Sequence, residues 1–298
     1  MNLLITGAWG DAKTHIDKIE DMGHHVTFLQ QEKDELPCET SWVEGLICNG
    51  LFLYHPIEAF SNLRYIQLTS VGFDRVPMDY IHEHGIEIHN AKDVYSIPMA
   101  EHALACALWF YRGLGGFRKN QEKHSWIKNR GLKELNGKTV LIIGCGNVGT
   151  ACAKAFGSLC CSVIGVDCQI GKKEHFSALC HIDDLKFCLS EADIVVITVP
   201  LTNETRGLIG EDAFGCMKDG LLLINLSRGE VIDTDALVRH LPRLGGTALD
   251  VFEEEPLKED SPLWDMENVL ITPHNCFVGD GNGERIEKVI MDNLGIIT

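Results

Sequence analysis

Apolar residues over the first hundred positions fall in short blocks set between polar, helix-compatible stretches. Asn2–Thr6, His25–Leu29, Gly45–Cys48, Tyr65–Thr69 and Ile86–His89 are compact apolar runs bounded by turn-forming residues, the pattern of buried strands. Ala12–Met22 and Met78–His84 carry helical spacing and run into Gly23 and Gly85, suited to the left-handed backbone that stops a helix. Strands separated by helices predict βαβ units and a parallel sheet, so this region reads as a small α/β domain. Next, Ile97, Ala100, Leu104, Leu108 and Tyr111 recur at helical spacing behind Pro98, a residue favoured in a first turn. A long helix follows from this, serving as a core helix, a link between domains or a subunit face. Residues 112–137 are polar and dotted with glycine and predict a connector, in whole or part.

A second α/β run begins at Lys138. Strands are expected at Thr139–Ile143, Val163–Asp167, Ile194–Val199, Leu221–Asn225, Thr247–Leu249 and Val269–Thr272, with helices at Asp183–Ser190, Glu211–Met217 and Thr234–His240. Six strands with intervening helices fit a complete dinucleotide-binding fold. The last helix, Glu284–Leu294, is expected to pack back on the first domain.

At the head of the second run, the apolar strand leads into Gly144-Cys145-Gly146-Asn147-Val148-Gly149 and then a helix at Ala151–Leu159. In G-x-G-x-x-G the first glycine permits the tight turn, the second lets backbone approach a pyrophosphate, and the third allows close helix–strand packing. The helix N-terminus offers N–H groups and a positive dipole end to phosphate. Alone, this pattern also fits an ordinary strand–turn–helix. The next strand, however, ends in Asp167, 18 residues after Gly149, about where a carboxylate must sit to bind the ribose hydroxyls of NAD.

Composition narrows the remaining choices. A length of 298 residues suits roughly two domains, and 45% hydrophobic with 23% charged residues is ordinary for a chain able to bury a core. The formal net charge of −17 argues against a nucleic-acid partner, whose phosphates need cations to neutralise them. The apolar part of Met1–Gly7 is too short for a signal peptide and no run approaches a membrane span, so a cytoplasmic chain with no membrane partner is expected. The twelve cysteines contain no C-x-x-C pair and sit mostly in apolar segments, as Cys48, Cys106, Cys152 and Cys188 do. Free, largely buried thiols in a reducing compartment are expected, with no metal site.

In an open parallel sheet, ligands bind beyond the carboxyl ends of the strands. Those ends carry Ser227-Arg228-Gly229, then Asp250 and Glu253-Glu254-Glu255-Pro256, and then Thr272-Pro273-His274. In the first domain, Tyr65–Thr69 leads into Ser70-Val71-Gly72-Phe73-Asp74. Singly these are ordinary loop residues. Together they supply what hydride exchange between a hydroxy acid and a nicotinamide requires. A guanidinium holds the substrate carboxylate and polarises its carbonyl. An imidazole exchanges the hydroxyl proton, and a carboxylate beside an imidazole fixes its tautomer and favours its protonated form.

With Ala100-Glu101-His102, Pro200-Leu201-Thr202 with Thr205, Asn225-Leu226-Ser227-Arg228-Gly229, Leu249-Asp250-Val251-Phe252, Glu255-Pro256 and Pro273-His274 added, the chain resembles the D-isomer-specific 2-hydroxyacid dehydrogenases over nearly its whole length. The resemblance implies an α/β fold of two Rossmann-like or flavodoxin-like domains with parallel sheets and a cleft between them. Residues 1–96 with 274–298 would form the substrate domain and 97–273 the NAD-binding domain. It implies Arg228 as the substrate arginine, His274 as acid/base and Glu255 as its partner. Ser70, Val71 and Gly72 would hold the substrate carboxylate. Gly144, Gly146, Asn147, Val148, Gly149, Asp167, Pro200, Thr205, Ser227 and Asp250 would line the coenzyme, with Asp250 at the nicotinamide carboxamide. A small 2-hydroxy or 2-oxo acid is the implied partner, and a homodimer the implied assembly.

Departures from the family pattern bear on specificity. Asn275-Cys276-Phe277 replaces small apolar residues after His274. The chain ends at Thr298, and no regulatory extension is expected. The loop Asn49–Pro56 lacks the arginine that phosphoglycerate-type members place there, which points to an uncharged or apolar 2-substituent unless Arg75 substitutes. Formate dehydrogenases resemble the family with glutamine at the position of Glu255. Asp167 favours NAD, while Lys172 and Lys173 keep NADP open. Two other readings stand: a D-3-phosphoglycerate dehydrogenase specifically, and a non-enzymatic NADH-sensing protein on the same fold.

Overall fold

A computed structural model describes residues 1–171 and 173–297. Two compact units divide the chain, Met1–Tyr95 with Gly279–Thr298, and Ser96–Val278.

The first unit is built on five strands, β1 (Asn2–Thr6), β2 (His25–Leu29), β3 (Gly45–Cys48), β4 (Tyr65–Leu68) and β5 (Glu87–His89). They pair in the order β2-β1-β3-β4-β5, all parallel. This is the flavodoxin-like order, whose strand sequence reverses beside β1. Helix α1 (Ile16–Asp21) is shorter than the expected Ala12–Met22 because Ala12–Thr14 forms a separate 3-10 turn. Helix α2 (Met78–Glu83) lies where expected. The long helix α3 (Ser96–Tyr111) opens the second unit. Of the predicted stripe, Ala100 and Tyr111 are buried and Leu104 and Leu108 pack half-buried against the core, but Ile97 is exposed, and Ala103, Cys106 and Ala107 are buried beside them. These small side chains share a core with Cys152, Ala153 and Phe156 of the helix after the glycine turn, which allows close helix–helix approach. The expected connector contains a helix, α4 (Leu114–Glu122), with no buried residue.

Seven strands make the second sheet: β6 (Thr139–Ile143), β7 (Ser162–Asp167), β8 (Ala178–His181), β9 (Ile194–Ile197), β10 (Leu222–Asn225), β11 (Gly246–Leu249) and β12 (Val269–Ile271). Their order is β12-β11-β10-β9-β6-β7-β8, parallel throughout. The chain thus returns to the far side of β6 after three strands, the dinucleotide-binding order with one strand added. Six strands were expected; β8 is a short, partly exposed edge strand whose four residues carry no strong apolar pattern. Helices α5 (Asn147–Ser158), α6 (Leu185–Glu191), α7 (Glu211–Cys216) and α8 (Thr234–His240) cover the sheet. Strands β6, β9 and β10 are almost entirely buried, with apolar side chains feeding cores on both faces.

Helix α9 (Asn282–Ile297) returns to the first unit, where Ile286, Ile290 and Leu294 pack with Leu3, Ile5 and Ile47. The expected second boundary, between residues 273 and 274, moves to Val278/Gly279, and the first shifts by one residue. The reason is local. The Oδ1 of Asp250 accepts the N–H of Asn275 at 2.9 Å and its Oδ2 that of Cys276 at 3.0 Å, while the Cys276 side chain is buried in the second unit's core. Among the described residues, no helix is long and apolar enough to cross a membrane.

Candidate active site

The carboxyl ends of β10, β11 and β12 carry three loops that hydrogen bonds and backbone contact lock together. After β10, the fully buried Asn225 organises the turn. Its Oδ1 accepts the backbone N–H of Ser227 at 3.0 Å and the Ser227 hydroxyl at 2.8 Å, and its Nδ2 donates to the carbonyl of Arg228 at 3.0 Å. Arg228 is half-buried and donates from Nη1 to the Ser227 carbonyl at 2.8 Å. Gly229 then passes against the loop after β11 so closely that a Cβ would overlap the backbone of Phe252 and Glu253. Only glycine lets these two loops touch.

After β11, Asp250 is 1% exposed and faces inward. Its Oδ1 accepts the Thr272 hydroxyl at 2.6 Å as well as the N–H of Asn275, and its carbonyl accepts the N–H of His274 at 2.7 Å. The Asp250 carboxylate is therefore committed to the 272–276 turn. His102 of α3 reaches the same Thr272 hydroxyl at 3.4 Å; burial pushes its imidazole down, and the Asp250 charge partly opposes this. His274 sits at φ +50°, a left-handed backbone that costs a non-glycine residue energy and that the Asp250 bonds hold in place.

This turn presents the imidazole to Glu255, whose Oε2 lies 2.8 Å from Nδ1. The Oε1 of Glu255 accepts the N–H of Phe252 at 3.1 Å, so the carboxylate is steadied from its own loop. A carboxylate that accepts from Nδ1–H leaves the lone pair of a neutral ring on Nε2, and with Nε2 also protonated the pair becomes an imidazolium–carboxylate. The arrangement can hold a proton, or lack one, at a fixed atom.

At the other half of the sheet, Gly144 has φ +94°, and a Cβ on Gly149 would overlap the carbonyl of Gly144, so α5 starts hard against the turn. Gly146 faces open space. Asn147 and Val148 form the first turn of α5. Asp167 ends β7, and its Oδ2 accepts the N–H of Cys145 at 2.8 Å and the Lys173 ammonium at 3.0 Å. Pro200 and Thr205 lie in the loop after β9, where the Thr205 hydroxyl donates to the Pro200 carbonyl at 2.7 Å. An open glycine turn, a helix N-terminus and a carboxylate beyond the next strand fit the pyrophosphate and ribose of a dinucleotide.

In the first unit, the carbonyls of the Ser70–Gly72 loop are all taken. That of Ser70 accepts Ala91 N–H, that of Val71 accepts Asn90 Nδ2, and that of Gly72 accepts the Ser70 hydroxyl. At the switch point beside β1 and β3, the Glu32 carboxylate accepts the Thr6 hydroxyl at 2.9 Å and the N–H groups of Asn49 and Gly50 at 2.6 and 2.7 Å.

Comparison with known proteins decides the family. Residues 104–276 match the model of the D-isomer specific 2-hydroxyacid dehydrogenase, NAD binding domain. The chain belongs to this family. Arg228, Glu255, His274 and the glycine turn all lie inside the matched segment. A glyoxylate reductase of Thermofilum pendens is 35% identical over 80% of this chain and 73% of that protein. A D-3-phosphoglycerate dehydrogenase of Archaeoglobus fulgidus is 34% identical over 73% of this chain but only 42% of its own length. The chain thus spans less than half of the phosphoglycerate dehydrogenases from Archaeoglobus fulgidus and Methanocaldococcus jannaschii that it matches. Among solved structures, the D-lactate dehydrogenase of Aquifex aeolicus, complexed with NAD and lactic acid, superposes with a TM-score of 0.82 at 26% identity, covering 99% of this chain and 94% of that one.

Within this D-isomer specific 2-hydroxyacid dehydrogenase fold, Glu32 is a residue the sequence did not single out, and three that it did name, Asn225, Thr272 and Lys173, gain specific partners. Asn225 and Thr272 shape the arginine and histidine turns, Lys173 pairs with Asp167, and Glu32 fills the switch point of the first unit. Asn225 and Thr272 were visible as strand-end polar residues. Glu32 gave no signal, because its partners lie far along the chain. Lys172, the other candidate for NADP, lies outside the described residues.

Proposed function

We propose that this chain is an NAD(P)-dependent oxidoreductase interconverting a D-2-hydroxy acid and a 2-oxo acid. The observation that carries the reading is the Glu255–His274 pair at 2.8 Å, held on loops that Gly229 brings into backbone contact with the Arg228 turn. Arg228 takes the substrate carboxylate and polarises the 2-oxo group. His274, protonated and balanced by Glu255, gives its Nε2 proton to the oxygen as the carbonyl is reduced; in the opposite direction neutral Nε2 takes the hydroxyl proton. When bound, the nicotinamide supplies or accepts the hydride. Gly144, Gly146, Asn147, Val148, Gly149 and Asp167 would hold the coenzyme's pyrophosphate and ribose, and Pro200, Thr205, Ser227 and Asp250 its remaining wall. The Ser70–Gly72 loop, with its carbonyls engaged, suits a carboxylate through the N–H groups of Val71 and Gly72.

An uncharged substrate side chain is the reading favoured, with Arg75, whose side chain lies against Gly50, as the cation that would answer a charged one. The loop after β3 has no arginine, and the N–H groups of Asn49 and Gly50 already serve the Glu32 carboxylate, which repels a second anion. The acting form is a homodimer in the cytoplasm. Leu114, Phe117, Trp126 and Ile127, on and after α4, expose apolar surface suited to a second copy.

The test is a panel of 2-oxo acids incubated with NADH and NADPH and followed by loss of reduced-coenzyme absorbance. Turnover of small or branched 2-oxo acids is expected. No turnover of any member sinks the enzymatic reading, and a preference of orders of magnitude for a phosphorylated 2-oxo acid sinks the assignment of the side chain.

A further inference from the structure

The carboxylate at the end of β7 has more donors than a bare ribose acceptor requires. An ionised carboxylate offers about four acceptor positions. On Asp167 all four are taken. Oδ2 accepts the Cys145 N–H at 2.8 Å and the Lys173 ammonium at 3.0 Å, and Oδ1 accepts the Gln169 N–H at 3.0 Å and the Cys168 thiol at 3.6 Å. Burial alone would push this carboxyl up, but Gln169, Lys173 and Cys145 together hold it at about 2, so it is ionised. Two of the four donors are backbone groups fixed by the glycine turn and by the turn after β7. The other two are side chains able to swing aside, one on each oxygen. The movable pair thus leaves one acceptor position on each oxygen that a ribose hydroxyl can take over once the side chain swings aside.

We propose that Lys173 selects the coenzyme: it stands in for a ribose hydroxyl on Asp167 and, once displaced, supplies the cation that a 2′-phosphate needs, so that the chain accepts NADPH as well as NADH. The proposal rests on the coenzyme reading above. A diol that takes the outer positions of Asp167 leaves the ammonium beside the carboxylate, tethered by a flexible four-carbon stem six residues along the chain. Toward a 2′-hydroxyl this changes little. A 2′-phosphate facing Asp167 alone meets repulsion. Facing the Asp167–Lys173 pair, whose side chains are both mostly buried, it meets a formally neutral site with a charge-assisted donor. If Lys173 merely pins its own loop, its loss instead weakens both coenzymes alike.

Titration calorimetry on the purified full chain separates these roles without relying on turnover. The probes are NADH, NADPH, 5′-AMP and 2′,5′-ADP, the last carrying the 2′-phosphate without a nicotinamide. Lys173→Met is expected to weaken 2′,5′-ADP and NADPH by about tenfold or more, and to leave 5′-AMP and NADH within about threefold. Lys173→Arg should keep NADPH binding. Equal weakening of all four probes in Lys173→Met, or unchanged NADPH binding, overturns the proposal. A wild-type chain that binds none of the four overturns the coenzyme reading itself, an outcome visible before any variant is made.

Discussion

Gly229→Ala tests whether contact between the arginine and glutamate loops matters for chemistry. A Cβ at this position would lie well under 3.0 Å from the carbonyl carbon and oxygen of Phe252 and from the nitrogen of Glu253, whereas ordinary contact begins at 3.4 Å. The obstructing atoms are backbone and cannot rotate away. The loops must separate by more than ~1 Å, and a displacement of ~1 Å in a catalytic constellation already costs about a hundredfold in rate. Overpacking adds a stability loss of about 1–3 kcal/mol. Because the glycine turn and Asp167 stand on other loops of the same sheet, binding of 5′-AMP, which reports on the adenosine half alone, should stay within about threefold, whereas the wall given by Ser227 and Asp250 moves with the displaced loops. The assay is steady-state turnover on the best 2-oxo acid, with 5′-AMP affinity and thermal midpoint measured alongside. Gly215→Ala is the control, since a Cβ at Gly215, in α7 and away from the subunit face proposed on α4, meets nothing within 4 Å. Gly229→Ala protein that keeps turnover within about threefold of wild type refutes the argument that backbone contact sets the geometry of Arg228 and Glu255.

Other outcomes are equally specific. Glu255→Gln keeps an acceptor for Nδ1 but loses the charge, and should lower kcat/KM for 2-oxo acid reduction by about a hundredfold while coenzyme affinity holds; an unchanged kcat/KM would remove Glu255 from the mechanism. Asp250→Asn leaves at least one of three buried donors facing an amide nitrogen and should cost about 1–3 kcal/mol by denaturant unfolding, with no loss meaning that the turn is held otherwise. Asp167 has its folded pKa lowered from 3.8 to about 2, so its contribution to stability is complete above 3.8 and disappears as the pH falls through about 2. Asp167→Asn should therefore flatten the acid dependence of the unfolding midpoint in that window, and identical acid limbs would contradict it.

The strands were legible because buried parallel strands must be short apolar runs, as Leu222–Asn225 and Ile194–Ile197 are. The glycine turn and Asp167 were legible because spacing alone sets that motif. On α3 the periodicity misled only at Ile97, which is exposed; close packing selects small residues, so Ala103 and Ala107 are the fully buried ones while Leu104 and Leu108 lie half-buried beside them. Helix α4 was hidden by Gly115 and Gly116, poor helix formers that its exposed position tolerates. The inward turn of Asp250 and the grip of Glu32 on Asn49 and Gly50 depend on contacts between distant parts of the chain, which no local pattern encodes.

Helix α9 supplies Ile286, Ile290 and Leu294 to a core that otherwise belongs to the first 95 residues. During synthesis the 183 residues of Ser96–Val278 must be made between those two contributions, roughly 9–37 s at elongation rates of about 5–20 residues per second. For that interval the nascent amino-terminal sheet carries Leu3, Ile5 and Ile47 with part of their cover missing. The core of Ser96–Val278 is complete before that of Met1–Tyr95 can be, so ribosome-bound holdases should engage the five-stranded sheet until α9 emerges.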